Sequence, residues 1–395
     1  MGILGRLLAR AQSRVETRAS TSDSFAAAFG VVPTASGQMV NARVVENLSA
    51  VMACVGAISS AMASMNAYVY RRTQTGRVEL PEHPVARLIR QPNRLQPWPD
   101  WIEFTLSQAL LHGNSISVIE YAADGAPTAL TPIPWGNVQV YQLPSGRLAY
   151  DVVQGNGHGG TGIPRRYLDG EVFHVRDRSE DGLVGRSRIS RASEVLGSAL
   201  ALQEWSGAIW KNGATPSLVV PVPNGLSPEG KARMVAHWQR EHVGAHNGRK
   251  IYFADQGMDV KPISVSPEDA EVLASRRFTV EELCRLFQVP PPIAGDLSHG
   301  TFTNSREAGR WFAQFTLAPW ARKLEAEFAR SVFGPSSADC SLEIDLSGLM
   351  RGDAEARWQS HKIAVEAGIL EPDEVREIEG WNPRGKAAPA REPAA

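Results

Sequence analysis

Two long stretches of helical periodicity, residues 187–212 and 268–289, bracket an insert of about fifty residues that has a pattern of its own. At about 1.5 Å per residue each helix is roughly 35 Å long. The insert reads as a strand (217–222), a helix (228–241) and two further strands (250–254 and 259–263). A small subdomain mounted on the tips of two rods contributes little to a parent core. Contact with something else is its expected business.

The rest of the chain must supply the main core, and it is large enough to do so. At about 150 residues per domain, 395 residues correspond to two or three domains. Hydrophobic residues make up 43% and charged ones 21%, a globular composition that excludes disordered, collagenous and membrane-embedded classes. The formal charge is −1, which excludes a protein that grips nucleic acid by blanketing phosphates. Cys54, Cys284 and Cys340 are widely spaced, odd in number and contain no CxxC, so neither a disulfide framework nor a zinc knuckle is expected, and synthesis in a reducing cytoplasm is the default. No residue from 48 to 70 is charged, a run long enough for a bilayer. Its many Ser, Ala and Gly residues instead predict a buried helix at 42–64, then an edge strand at 67–71. At the N-terminus Arg6, Arg10, Arg14 and Arg18 fall on one helix face; a surface helix accounts for them better than a targeting peptide, since no secretory apolar core is present.

Between that buried helix and the first rod, a second helix is expected at 100–112 with Gly113 as its C′ residue. Alternating runs at 116–121, 138–142, 148–153 and 172–175 predict strands, and 43–180 reads as one α+β domain. The second rod is expected to stop at Pro290-Pro-Pro292. A loop follows whose only acid is Asp296 and which holds no Lys or Arg. Asn304 with Glu307 resembles a capping box opening a third long helix, 305–333, which Pro319 should kink. A strand at 341–345, a helical pair at 353–367 and 372–380, and a disordered tail from 383 complete the pattern.

Catalytic motifs are weak. Gly225-Leu-Ser-Pro-Glu-Gly-Lys231-Ala232 has phosphate-loop spacing, but Ala232 replaces the hydroxyl residue that would ligate magnesium. A plain helix start explains it better, with Ser227 as N-cap, Pro228 at N1 and Glu229 at the positive helix end. His237, His242 and His246 cluster without the glutamate of a zinc-helix motif, and Gly244 interrupts the helix; solvated histidines are the better reading. No cofactor, metal or catalytic residue is expected, and the chain is not expected to be an enzyme.

The order of parts resembles the portal proteins of tailed double-stranded DNA phages, in their shorter form. The residues that carry the resemblance are Trp210-Lys-Asn-Gly-Ala-Thr-Pro216 at the end of the first rod and Arg277-Phe-Thr-Val-Glu-Glu-Leu-Cys-Arg-Leu-Phe-Gln-Val-Pro-Pro291 in the second. Thr316-Leu-Ala-Pro-Trp320 and Gly368-Ile-Leu-Glu-Pro-Asp-Glu-Val-Arg376 add to it. The resemblance implies a cyclic ring of about twelve subunits at one capsid vertex. The ring would pass DNA inward during packaging and outward during delivery, in a phage, a prophage or a gene transfer agent assembled in a bacterial cytoplasm. Terminase large subunit, a head-tail adaptor and the major capsid protein are the implied partners, with no membrane.

Carried onto this chain, the resemblance implies an N-terminal arm (1–42), a wing (43–186 and 306–349), stem helices (187–212 and 266–290) and a clip (213–265). It further implies a tunnel loop (291–305), a short crown (350–381) and the tail (382–395). Ser298, His299, Thr301, Thr303, Asn304, Arg306 and Arg310 then belong to the tunnel loop and the helix behind it. Neutral hydroxyls and amides there can touch phosphates and release them; an ordinary polar turn is the alternative. Arg306 and Arg310 attract DNA or merely pair with Glu307 and a neighbouring subunit. Arg276 and Arg277 either line the channel or bridge subunits. In the clip, Lys231, Arg233, Arg240, Arg249 and Lys250 suit adaptor docking or plain solubility. Two other classes remain in view, a nucleotide-dependent DNA-processing protein using the 225–231 loop and a scaffold that binds protein alone. Near-neutrality fits DNA transit, because a wall neutralising many phosphates would act as a brake. Residues 345–381 carry four basic and nine acidic side chains, which predicts an acidic rim near the chain's end.

Overall fold

The computed structural model describes residues 31–74, 76–153, 163–211, 218–219, 227–230, 232–233, 261–262, 268–297, 302–334, 337, 339–346, 354–379, 381, 382 and 384. A short hairpin, β1 (Val32–Pro33) and β2 (Met39–Val40), precedes helices α1 (Ala42–Val45) and α2 (Ser49–Ala63). Asn41 caps α1 by accepting from the Val44 amide at 2.9 Å. The uncharged run is therefore a helix whose Val51, Cys54, Val55, Ile58 and Met62 are buried, as its small and apolar residues predict. No helix among the described residues is long and apolar enough to cross a membrane.

Three three-stranded antiparallel sheets follow. Strand β3 (Ala67–Thr73) is central, between β4 (Gly76–Glu79) and the distant β13 (Cys340–Ile344). The expected edge strand is thus an interior one, because its partner comes from 269–277 residues away and no local pattern announces it. After helices α3 (Pro84–Arg90) and α4 (Trp98–His112), strand β5 (Asn114–Tyr121) pairs with β6 (Pro127–Ile133) and β10 (Val172–Arg176). The third sheet is β7 (Val138–Gln142), β8 (Leu148–Val153) and β9 (Pro164–Leu168). The expectation lacked β4, β6 and β9; β6 and β9 both begin with proline, which the ladder tolerates at a first residue.

Strand β5 separates two cores. Ile116 and Val118 face a smaller cluster with Val138, Tyr150, Val152 and Tyr167. Ile119, of the opposite parity, belongs to the larger cluster, and Trp101 Nε1 donates to Ser117 Oγ at 3.2 Å on that side. Trp98, Trp101, Phe173 and Phe328 meet there, with ring centroids 4.9–6.3 Å apart.

The first rod begins as α5 (Arg188–Arg191), breaks at Ala192, whose φ of −116° and ψ of 29° leave the helical region, and continues as α6 (Ser193–Lys211). Ser187 caps it, accepting from the Ile189 amide at 3.1 Å. The β1–β2 hairpin lies on α6, where Ala35 N donates to Glu194 and a side chain at Gly197 would strike Thr34. From the insert, β11 (Leu218–Val219) pairs with β12 (Lys261–Pro262), consistent with the first and last expected strands. Gly230 N donates to Ser227 Oγ at 3.2 Å, the hydrogen bond of a helix N-cap. The histidine cluster at 237–246 lies outside the described residues.

The second rod, α7 (Glu268–Phe287), ends three residues before the prolines. Gln288 adopts φ 60°, Val289 N returns to Cys284 O at 2.9 Å, and Gln288 N bonds Arg285 O at 3.1 Å. This is a Schellman end with glutamine where glycine is usual. Pro290 to Asp296 then form a compact turn closed by Asp296 N to Pro291 O, 2.9 Å.

The third helix starts earlier than expected. α8 (Phe302–Trp311) already contains Thr303 and Asn304, so Asn304 is inside the helix and the expected capping box is absent. Pro319 does not interrupt the run alone: a π turn, Phe312–Leu317, precedes α9 (Ala318–Glu327), and a second, Phe328–Val332, follows it. The Ala318 amide reaches back to Ala313 O, and this widened ladder makes room for a residue with no N–H and a ring that would crowd the preceding turn. After β13, helices α10 (Ala354–Glu366) and α11 (Pro372–Ile378) form the terminal pair.

Candidate functional site

The geometry that positions both rods lies where β10 ends and α5 begins. Gly113, at φ 80°, lets the chain leave α4; a Cβ there would sit 2.6 Å from the backbone of Arg186 and Ser187. Asn114 locks the crossing, its Oδ1 accepting from Gly185 N at 2.8 Å and its Nδ2 donating to Gly185 O at 2.7 Å. Buried Asp177 accepts from Arg188 Nε at 2.6 Å, with Arg191 at 3.3 Å and Lys323 of α9 at 4.0 Å. Arg188 also donates to Leu286 O at the end of α7, 3.3 Å, and lies between the rings of Phe287 and Trp320. One buried guanidinium therefore ties the start of the first rod to the end of the second. Burial pulls the Lys323 ammonium below the usual lysine range, with Asp177 opposing the shift.

A second polar knot holds β10 against the π turn at Phe328–Val332. His174 is 2% exposed; its Nε2 meets Asn114 Oδ1 at 3.0 Å and its Nδ1 meets Tyr150 Oη at 3.1 Å. Its amide donates to Glu327 Oε1 at 2.8 Å, and Glu327 pairs with Arg330. Burial, reinforced by Arg176 and Arg330, holds the imidazole well below its ordinary pKa, so it is neutral. Neither knot was foreseen, since Asp177, Arg188 and His174 are ordinary residues until distant elements surround them.

Of the expected tunnel-loop residues, Arg310 falls beside the end of α7. There a groove of about 870 Å³ runs between α7, the proline turn and α8, with Cys284, Gln288, Arg310, Trp311 and Phe315 among its lining. Thr316 Oγ1 donates to Gln288 O, clamping the left-handed residue to the π turn. Arg310 pairs with Glu307 at 3.3 Å and both are exposed. Trp311 and Phe315 are in ring contact at 5.4 Å, yet 45% and 51% exposed. Met52 of α2 and Phe278 of α7 are more exposed still.

Arg306, Arg276 and Arg277 lie on helices α8 and α7, and Arg233 is exposed. Ser298, His299, Thr301, Lys231, Arg240, Arg249 and Lys250 lie outside the described residues. No group of three or more potential metal ligands occurs among the described residues.

The mixed helix-and-sheet body, with its long helices α6 and α7 and its π-interrupted third helix, has portal-like neighbours among solved structures. The phage portal protein family model matches residues 49–380, and the chain belongs to that family. It is 28% identical over 352 residues to the portal protein of Enterobacteria phage HK97, covering 87% of this chain and 81% of that one. It is also 28% identical over 363 residues to the probable portal protein of Streptomyces phage phiC31, covering 88% and 78%. Among solved structures, a chain from the neck of a native gene transfer agent particle, determined with C12 symmetry, superposes with a TM-score of 0.57 at 23% identity, covering 97% of this chain and all of that one.

Proposed function

We propose that this chain assembles into a closed ring of about twelve subunits at one vertex of a phage or gene-transfer-agent capsid and forms the channel through which double-stranded DNA enters and leaves. The observation that carries this reading is the family match across 49–380, which spans both rods and the regions on either side. In it 43–186 and 306–349 are the wing, 187–212 and 266–290 the stem, 213–265 the clip, and 350–381 a reduced crown. The pairing of β13 with β3 supports joining the two wing segments into one body. The loop at 291–305 faces the channel, with Arg306 and Arg310 behind it; Arg276 and Arg277 line the channel or bridge stems. Lys231, Arg233, Arg240, Arg249 and Lys250 of the clip meet terminase and then a head-tail adaptor, while the wing meets the major capsid protein. The subunit itself catalyses nothing, and ATP hydrolysis belongs to terminase.

The half-exposed Met52, Phe278, Trp311 and Phe315 support subunit contacts around the ring, since apolar side chains of this size gain by leaving water. Mass measurement and electron microscopy of the purified full chain test the reading: a ring is expected, and a stable monomer at micromolar concentration overturns it. Nucleotide titration by calorimetry is expected to show no binding, consistent with Ser227 acting as a helix cap.

A further inference from the structure

Cys54 and Cys284 are 230 residues apart in the chain, yet their sulfurs lie 3.9 Å from each other, one on α2 and one on α7. Both are fully buried and neither is bonded to another cysteine. The two helices pack directly against each other along this line. Sulfurs in contact need close by only about 2 Å to reach bonding distance. Cys340, the third cysteine, sits on β13 with its sulfur 3.7 Å from Asp339 Oδ1.

From this juxtaposition we propose that Cys54 and Cys284 are an oxidisable pair, converted by a hydroperoxide into an intramolecular disulfide that staples α2 to the end of α7. The proposal does not depend on the channel reading. Cys284 is the attacking group, for two reasons. It lines the groove of about 870 Å³ beside α8, the side from which a molecule as small as a peroxide arrives when the helix end opens locally. The Cys54 S–H also donates to it, which favours the Cys284 thiolate and, with burial, disfavours ionisation of Cys54.

The Cys284 thiolate attacks the terminal peroxide oxygen, the O–O bond breaks, and the departing alkoxide or hydroxide takes up the proton that Cys284 gave up. The product is a sulfenic acid at Cys284. Cys54 then attacks that sulfur, the S–S bond forms, the S–O bond breaks, and water leaves with the Cys54 proton. Two thiols and one hydroperoxide thus yield one disulfide, one alcohol or water, and one further water. Both sulfurs are oxidised and the peroxide is reduced.

The consequence is local. Cys284 O anchors the Schellman end through Val289 N, so the staple fixes the turn from which the 291–305 loop departs.

The test is hydrogen peroxide treatment of the purified full chain, followed by denaturation, alkylation and non-reducing peptide mapping. Loss of two of the three alkylatable thiols, a Cys54–Cys284 cross-linked peptide and recovery with dithiothreitol are expected. Cys340→Ser should leave this unchanged. Cys54→Ala should halt the reaction at a sulfenic acid on Cys284 that dimedone traps; if that variant does not fold, the wild-type peptide map still decides. Three intact thiols, a cross-link through Cys340, or sulfinic acid at Cys284 with Cys54 still alkylatable overturns the proposal.

Discussion

The two ends of Arg188's reach make a useful contrast. On one side, at the start of the first rod, the ion pair with Asp177 has both side chains under 10% exposed and is enclosed by aromatic rings. On the other, beside the end of α7, the pair Arg310–Glu307 is exposed at 58% and 67%. Both are arginine–carboxylate pairs, at 2.6 and 3.3 Å, but the first carries the greater energetic weight, because a buried charge that loses its partner cannot turn to water. The junction is over-determined, while the groove side is held by a strained backbone residue and surface ion pairs.

The comparison is broken most directly at Asp177. Asp177→Ala leaves Arg188 buried without its carboxylate and should cost about 3–5 kcal/mol, read from urea unfolding. A loss below about 1 kcal/mol would mean that the junction is no better determined than a surface pair. Next comes acid. Because folding holds His174 neutral while the unfolded imidazole takes up a proton near pH 6.5, stability is complete above that pH and falls as pH drops below it. One such group contributes a slope of about 1.4 kcal/mol per pH unit over that window. His83 and His112, also pulled down by burial, add to it. Comparing wild type with His174→Gln at pH 7 and pH 5.5 isolates the His174 share; equal slopes would remove the buried knot from the argument.

On the groove side the effects are smaller and one has the opposite sign. Gln288→Gly should stabilise by about 0.5–1 kcal/mol, since glycine adopts φ 60° without the Cβ penalty. Destabilisation there would show that the Gln288 side chain, not the backbone, matters at the end of α7. Arg310→Ala should change thermal stability by less than about 1 kcal/mol. A defect in DNA packaging without a stability loss would then assign Arg310 to the channel.

Much of the architecture was legible because it rests on local periodicity. Strands β7 and β8 and the end of α4 at Gly113 follow from alternation and a left-handed glycine, which need no distant partner. The central place of β3 was not legible, because sheet order depends on β13 arriving from the far end of the chain. Asn304 misled for a related reason: the sequence cue for a cap is real, but the helix already runs through this position from Phe302. Of the candidate site, Arg310 and its Glu307 alternative were visible from their spacing alone, whereas the groove, the Gln288–Thr316 clamp and the Asp177–Arg188 knot were not.

By itself the sequence determined two long helices, a near-neutral charge and a resemblance to portal proteins. Periodicity, proline placement and charge are properties of neighbours along the chain. Only the tertiary structure decided which charges are buried, which cysteines touch and which strand lies inside a sheet. Those are relations between residues up to 277 positions apart, and burial, which sets their energetic weight, exists only once the chain has folded around them.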